Sequence, residues 1–173
     1  MGRSVLDESF NEVLQTTAEK VARIGFVRHG AALRVIDKTN SGIIEFQKST
    51  KSSRERLLFT INLGIICGEL LEPDQPCLNK ARIRDAHLRH RVGMLLPGRQ
   101  DKWWEITAST DASVLAAEVS DLIVREVVPY IQRYLDTDDL IALWESGKSP
   151  GLTDWQRKRY LDKLRNARNT GGV

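Results

Sequence analysis

The sequence lacks the short signatures that announce a common chemistry. It has no G-x-S-x-G elbow, no G-x-x-x-x-G-K-[ST] loop and no G-x-G-x-x-G turn. Those absences argue against the usual hydrolase, nucleotide-binding and dinucleotide-binding classes, and no cofactor is expected. Cysteine is scarce: Cys67 and Cys77 stand alone and outside any C-x-x-C arrangement, so no disulfide framework is indicated. Both are expected to be reduced thiols that form no bond with each other. No apolar run approaches the roughly 18 to 20 residues that span a bilayer. The leading MGRSVLDESFNEV has neither an uninterrupted apolar core nor a small-residue cleavage site. The expectation is a soluble, unexported, cytoplasmic protein with no membrane association. Internal repeats and low-complexity tracts are also missing.

What is present suits one globular domain: 173 residues, of which 41% are hydrophobic. The formal charge of +3 is a modest excess, far from the dense basic runs of a nucleic-acid arm. The clearest local pattern lies between Gly42 and Gly68. Leu57, Phe59, Ile61, Leu63 and Ile65 alternate with Thr60, Asn62 and Gly64, the period of a strand with one buried face. Upstream, Ile44 and Phe46 oppose Glu45 and Gln47, and Ser49 to Ser53 supplies a polar loop. Together they predict a hairpin against which the rest of the chain is placed.

Before the hairpin, Ser4 and Asp7 open an amphipathic helix on which Leu6, Phe10, Val13, Leu14, Thr17, Val21 and Ile24 recur at helical spacing. Gly25 is placed to stop it. Phe26 to Arg28 and Ala32 to Asp37 then suggest a strand interrupted at Gly30, and Lys38 to Gly42 a turn. After Gly68, two prolines and mixed polarity predict a long excursion through GELLEPDQPCLNKARIRDAH. Ala86 to Leu96 resumes strand character, with Leu88, Val92 and Met94 opposite Arg89, Arg91 and Gly93. Lys102 to Thr107 adds a fifth strand.

Asp111 opens a long helix striped with Leu115, Val119, Leu122, Ile123 and Val127, which Pro129 should kink or break near Val128. Thr137 is placed to cap a short helix closed by Gly147, and Thr153 with Gln156 a last, basic helix ending in a frayed NTGGV. The fold class predicted is α+β: an antiparallel meander of about five strands with helices on one face and a helical C-terminal extension. Residues 1–146 form the domain, and 147–173 a linker and basic helix on or beside it. A chain ending at Ser146 should still fold cooperatively.

The order GF, EFQKS, FTINLG, RHRVGMLLP, DKWWEI and then a long helix resembles the bacterial domain of unknown function 4304 family. The resemblance runs from the first helix to about Leu135. It implies an α+β architecture in a bacterial cytoplasm and no catalytic residue, because no activity is assigned to the family.

Several residue groups bear on function. His87 and His90 have a spacing used by metal sites, but on a strand they face opposite sides and no third ligand is near, so no metal is expected. Asp85 and His87 share a face without an identifiable nucleophile. Basic clusters occur at Lys48, Lys51, Arg54 and Arg56, at Lys80, Arg82 and Arg84, and along the last helix. They would suit phosphate contacts, yet no aromatic residues are interleaved as a stacking platform. The polar sheet face is the better candidate: Gln47, Asn62, Arg89 and Arg91 fall in phase on neighbouring strands. Of Trp103 and Trp104, one joins them and the other points inside. Alternatively, Gln47 and Asn62 bond backbone at a covered edge and Arg91 pairs with Glu105. The expected function is a non-enzymatic binding domain that recognises a protein partner through this face, immunity-like or adaptor-like in a bacterial setting. The alternatives are a nucleic-acid binder using the basic surfaces and an enzyme of unrecognised type.

Overall fold

The computed structural model describes residues 4–170. Helix α1 (Val5–Ala22) begins where Ser4 Oγ accepts the Asp7 amide at 3.2 Å. It ends at Gly25, which takes a φ of +91° that glycine adopts without a side-chain clash. Its buried stripe is the predicted one except for Ile24, which lies past the helix end and is exposed. The chain then forms strands β1 (Val27–His29), β2 (Ala32–Asp37), β3 (Asn40–Lys48) and β4 (Arg56–Cys67). The first two are not one interrupted strand. The chain reverses at Gly30, which has a φ of +63°, and Val27 pairs with Arg34. The next turn is tighter than KTNSG suggests, because β3 starts at Asn40 and leaves Lys38 at a φ of +50°.

The excursion after β4 contains two 3-10 turns, Gly68–Leu70 and Ile83–Asp85. Strand β5 (Leu88–Arg91) follows and is shorter than Ala86 to Leu96, because Val92–Leu95 coils into a 3-10 turn. Strand β6 (Trp104–Thr107) completes an antiparallel six-stranded sheet in the order β1-β2-β3-β4-β5. The last strand does not extend the meander past β5; it pairs with β4, Phe59 opposite Trp104 and Leu57 opposite Ile106. Strand β4 can hold both because its 12 residues outrun either short partner.

Helix α2 (Ala112–Leu122) is capped by Asp111. It passes through a π turn, Ile123–Val127, into α3 (Val128–Tyr134). Pro129 has no amide proton for the ladder; the helix widens ahead of it, the Val128 amide bonding the Ile123 carbonyl, rather than breaking. Helix α4 (Thr137–Glu145) is capped by Asp136 instead of Thr137. The hydroxyl of Thr137 accepts from buried Asn40 at 2.9 Å, and the same Asn40 amide reaches the Leu135 carbonyl at 2.7 Å. Asn40 thereby ties the start of β3 to the junction of α3 and α4. Helix α5 (Asp154–Thr170) opens with the Thr153–Gln156 capping box. The rest of the NTGGV tail, residues 171–173, lies outside the described residues.

The core lies between the sheet and α1, α2 and α3. Leu57, Phe59, Ile61, Leu63 and Ile65 are all buried there, and Phe59 stacks on Trp104 at 5.4 Å and meets Phe10 edge-on at 5.3 Å. Helix α3 comes close because Gly42 has no side chain: a Cβ there would collide with Ile131. Helix α5 packs on this body through Leu164, which is 0% exposed, with Tyr160 and Leu161 beside it, while Trp155 is 68% exposed. Truncation at Ser146 therefore removes a core leucine. Leu164→Ala should lower the unfolding free energy by about 2–5 kcal/mol, and Trp155→Ala should change it by only about 0.5 kcal/mol. Urea melts of both variants measure this; equal losses would mean that α5 is not anchored where Leu164 sits.

Candidate functional site

Because the odd residues of β4 point to the helices, its even residues define a second face. Register completes it: Glu45, Asn62 and Arg91 form one row across β3, β4 and β5, and Ile43, Gly64 and Arg89 form the next. Half of this face is covered. The excursion folds back so that Ala81, Ile83 and Ala86 pack with Ile43 and Ile66. A Cβ on Gly64 would stand 2.5 Å from the Ile83 side chain, so the approach requires glycine. Arg34, 8% exposed on β2, donates to the carbonyls of Leu78 and Ala81 and holds the excursion down. The excursion is an ordered ridge rather than an open loop. Sequence reasoning missed Arg34, although a lone arginine inside the apolar run ALRVID was its signal.

The other half is open, and most of the candidate residues meet there. Asn62 donates its side-chain amide to Gln47 at 2.8 Å, on the exposed side of the sheet. Neither side chain satisfies a backbone group among the described residues. Arg91 pairs with Asp101 and lies 5.2 Å from the centre of the Trp103 ring. The Glu105 expected to pair with Arg91 instead faces Arg56 at 3.8 Å. Arg89 reaches the Arg84 carbonyl at 3.4 Å. Trp103 is 37% exposed, whereas Trp104 is 4% exposed on the helix side and donates its indole proton to Glu118 at 3.1 Å. Trp104 thus leaves the candidate set for the core. Thr60 is covered as well, bonded to the Lys102 carbonyl at 2.8 Å.

His87 and His90 both pack against tyrosine rings. His87 is buried, accepts the Cys67 amide on Nδ1 at 3.1 Å and meets the Tyr160 ring edge-on. Burial pushes its pKa down to about 4. Asp85 does not orient it; that carboxylate accepts the Arg82 amide at 2.7 Å. His90 faces Tyr130 at 4.9 Å, and burial lowers its pKa too. Among the described residues no group of three His, Cys, Asp or Glu could hold a metal ion. Cys67 is buried, with its thiol pushed up to about 11, and Cys77 is exposed; both are free.

The basic clusters separate by environment. In α5, Arg159 and Lys163 face Glu72, Arg165 faces Glu145 and Arg168 faces Asp138, so that helix is largely neutralised by its own protein. Lys80, Arg82 and Arg84 are different. They alternate with Ala81 and Ile83, and with the apolar pair pinned to the sheet all three cations are exposed, Arg84 beside Arg89 and Arg91 and Lys80 with Arg82 on the other side of Ile83. Two grooves flank the ridge at Ile83. One of about 550 Å³ is bounded by Arg34, Glu45, Gln47, Lys80 and Arg82, and one of about 330 Å³ by Asn62, Arg84, Arg89 and Arg91.

A family model described as "Domain of unknown function (DUF4304)" matches residues 18–133. The chain belongs to the DUF4304 family. No curated protein and no solved structure matches it. The whole second face lies within the DUF4304 match, whereas α4 and α5 lie beyond it.

Two outcomes follow for this DUF4304 domain. Gln47→Ala and Asn62→Ala should each shift stability by about 0.5 kcal/mol, against about 2–5 kcal/mol for Leu63→Ala; comparable losses in urea melts would make the pair structural. His87 has a folded pKa below its ordinary value, so the unfolded chain binds the proton more readily. Stability should be full above about pH 6.5 and fall by about 3 kcal/mol as pH drops toward 4. His87→Gln should flatten part of that decline, and an unchanged slope would count against the assignment.

Proposed function

We propose that this DUF4304 domain is a non-enzymatic binding module that recognises an acidic surface of a partner protein through the open half of its second sheet face. The carrying observation is the gathering of Lys80, Arg82, Arg84, Arg89 and Arg91 on one surface, where the nearby carboxylates are Glu45, Asp85 and Asp101. Unbalanced cations on a surface attract an oppositely charged partner and fix its register. The exposed Gln47–Asn62 pair and the edge of Trp103 supply the polar and aromatic contacts such interfaces use. Two further observations favour a protein over nucleic acid. Arg91 already lies over the Trp103 ring, which leaves a base less room to stack, and most cations of α5 are paired internally. The immunity-like or adaptor-like setting belongs to the same proposal.

The test is affinity purification of the full chain from cells that produce it, with an Arg91→Ala/Trp103→Ala variant and Arg168→Ala as control. One protein with an acidic surface should co-purify with the wild type and the control and be lost from the double variant. With the purified pair, the double substitution should weaken binding at least about tenfold. Equal capture by all three chains would overturn the reading. Salt-sensitive retention of nucleic acid that Lys80 and Arg82 substitutions abolish would replace it with nucleic-acid binding.

A further inference from the structure

The smaller groove has a composition that general docking of an acidic partner does not require. Arg84, Arg89 and Arg91 converge on a recess of about 330 Å³, Ile83 supplies an apolar wall, and no carboxylate lines it. Two of the three arginines have one carboxylate neighbour each, set outside the lining of the recess. Asp85 accepts the Arg82 amide and stands 3.9 Å from Arg84 Nε, and Asp101 holds Arg91 from outside the recess. Arg89 has no carboxylate partner among the described residues and only a long bond to a carbonyl. Asn62 gives one amide hydrogen to Gln47, which orients the carboxamide and leaves its second hydrogen for a ligand. Three guanidinium groups line one small space, and Arg89 among them is balanced by no carboxylate of the described residues, so the recess favours an anion.

We propose that this recess binds a phosphoryl dianion. A phosphoryl group carries close to two negative charges and three acceptor oxygens, which match Arg89, the remaining donors of Arg84 and Arg91 and one amide donor better than the two oxygens and single charge of a carboxylate. At about 330 Å³ the space takes the phosphoryl group and a short part of its carrier. The carrier is either a small phosphate ester or a phosphorylated side chain of the partner. The inference rests on the open sheet face of the recognition reading, but it does not need a protein to dock there.

The experiment is NMR titration of the 15N-labelled full chain with inorganic phosphate at constant ionic strength, with chloride as the control. Saturable shifts are expected at the Asn62 side-chain amide and at the Arg89 and Arg91 Nε–H groups, with a Kd of about 1 mM or tighter. Arg89→Gln, an exposed position, should weaken this about tenfold, and Arg165→Gln should not. Shifts that fail to saturate, follow chloride equally or survive Arg89→Gln would overturn the proposal. Phosphoserine and one peptide in phosphorylated and unphosphorylated forms then separate the carriers. A phosphopeptide that binds more tightly than phosphate assigns the group to a partner, and equal affinity assigns it to a free ester. If phosphate is silent while Arg91→Ala/Trp103→Ala still abolishes protein capture, the phosphoryl inference falls and the recognition reading stands.

Discussion

The close contact between Ile83 and the bare backbone of Gly64 is the constraint on which the second face depends. Strand β4 sends its odd side chains into the helical core, so its even positions would ordinarily face water. At Gly64 there is no side chain, and the excursion descends onto the sheet there, burying Ile43, Ile66 and Ala81 in a second, smaller cluster. That contact sets the boundary between the covered and open halves of the face. With Ala81 and Ile83 held against the sheet, Lys80, Arg82 and Arg84 between and beside them are left exposed.

Polar ties hold the ridge where apolar area alone is small. Arg34 spends its terminal donors on two excursion carbonyls, those of Leu78 and Ala81. At the far end, His87 accepts the Cys67 amide while its ring rests against Tyr160, which in turn lies 5.5 Å from Trp144. Lys163 adds bonds to the Leu70 carbonyl and Glu72. Helix α5 thus braces the excursion as well as covering the core. The arrangement links a segment beyond the DUF4304 match to the geometry of the face within it.

The candidate site was legible as a set of phases and illegible as a shape. Gln47, Asn62, Arg89 and Arg91 share a face because strand alternation is a property of the backbone, visible wherever apolar residues mark the other side. The same logic required the two tryptophans to part, without saying which went where; pairing with Phe59 placed Trp104 inside. Nothing local joined Lys80, Arg82 and Arg84 to the sheet arginines, since the contact that brings them together is between Ile83 and a glycine 19 positions earlier. Asn40 hid in an apparent turn for a similar reason: its partners are Leu135 and Thr137.

By itself the sequence determined the elements: the capped helices α1 and α2, the β3–β4 hairpin, the stop at Gly25 and the α+β class. Each of these follows from short-range steric and hydrophobic periodicity. Only tertiary structure decided that β6 returns to β4, that the excursion covers half of the second face, that most cations of α5 are neutralised and that Leu164 is core. Those outcomes depend on contacts between residues far apart in the chain, where the stabilisation comes from area buried and charges paired across elements, and no local pattern encodes which distant surface will supply them.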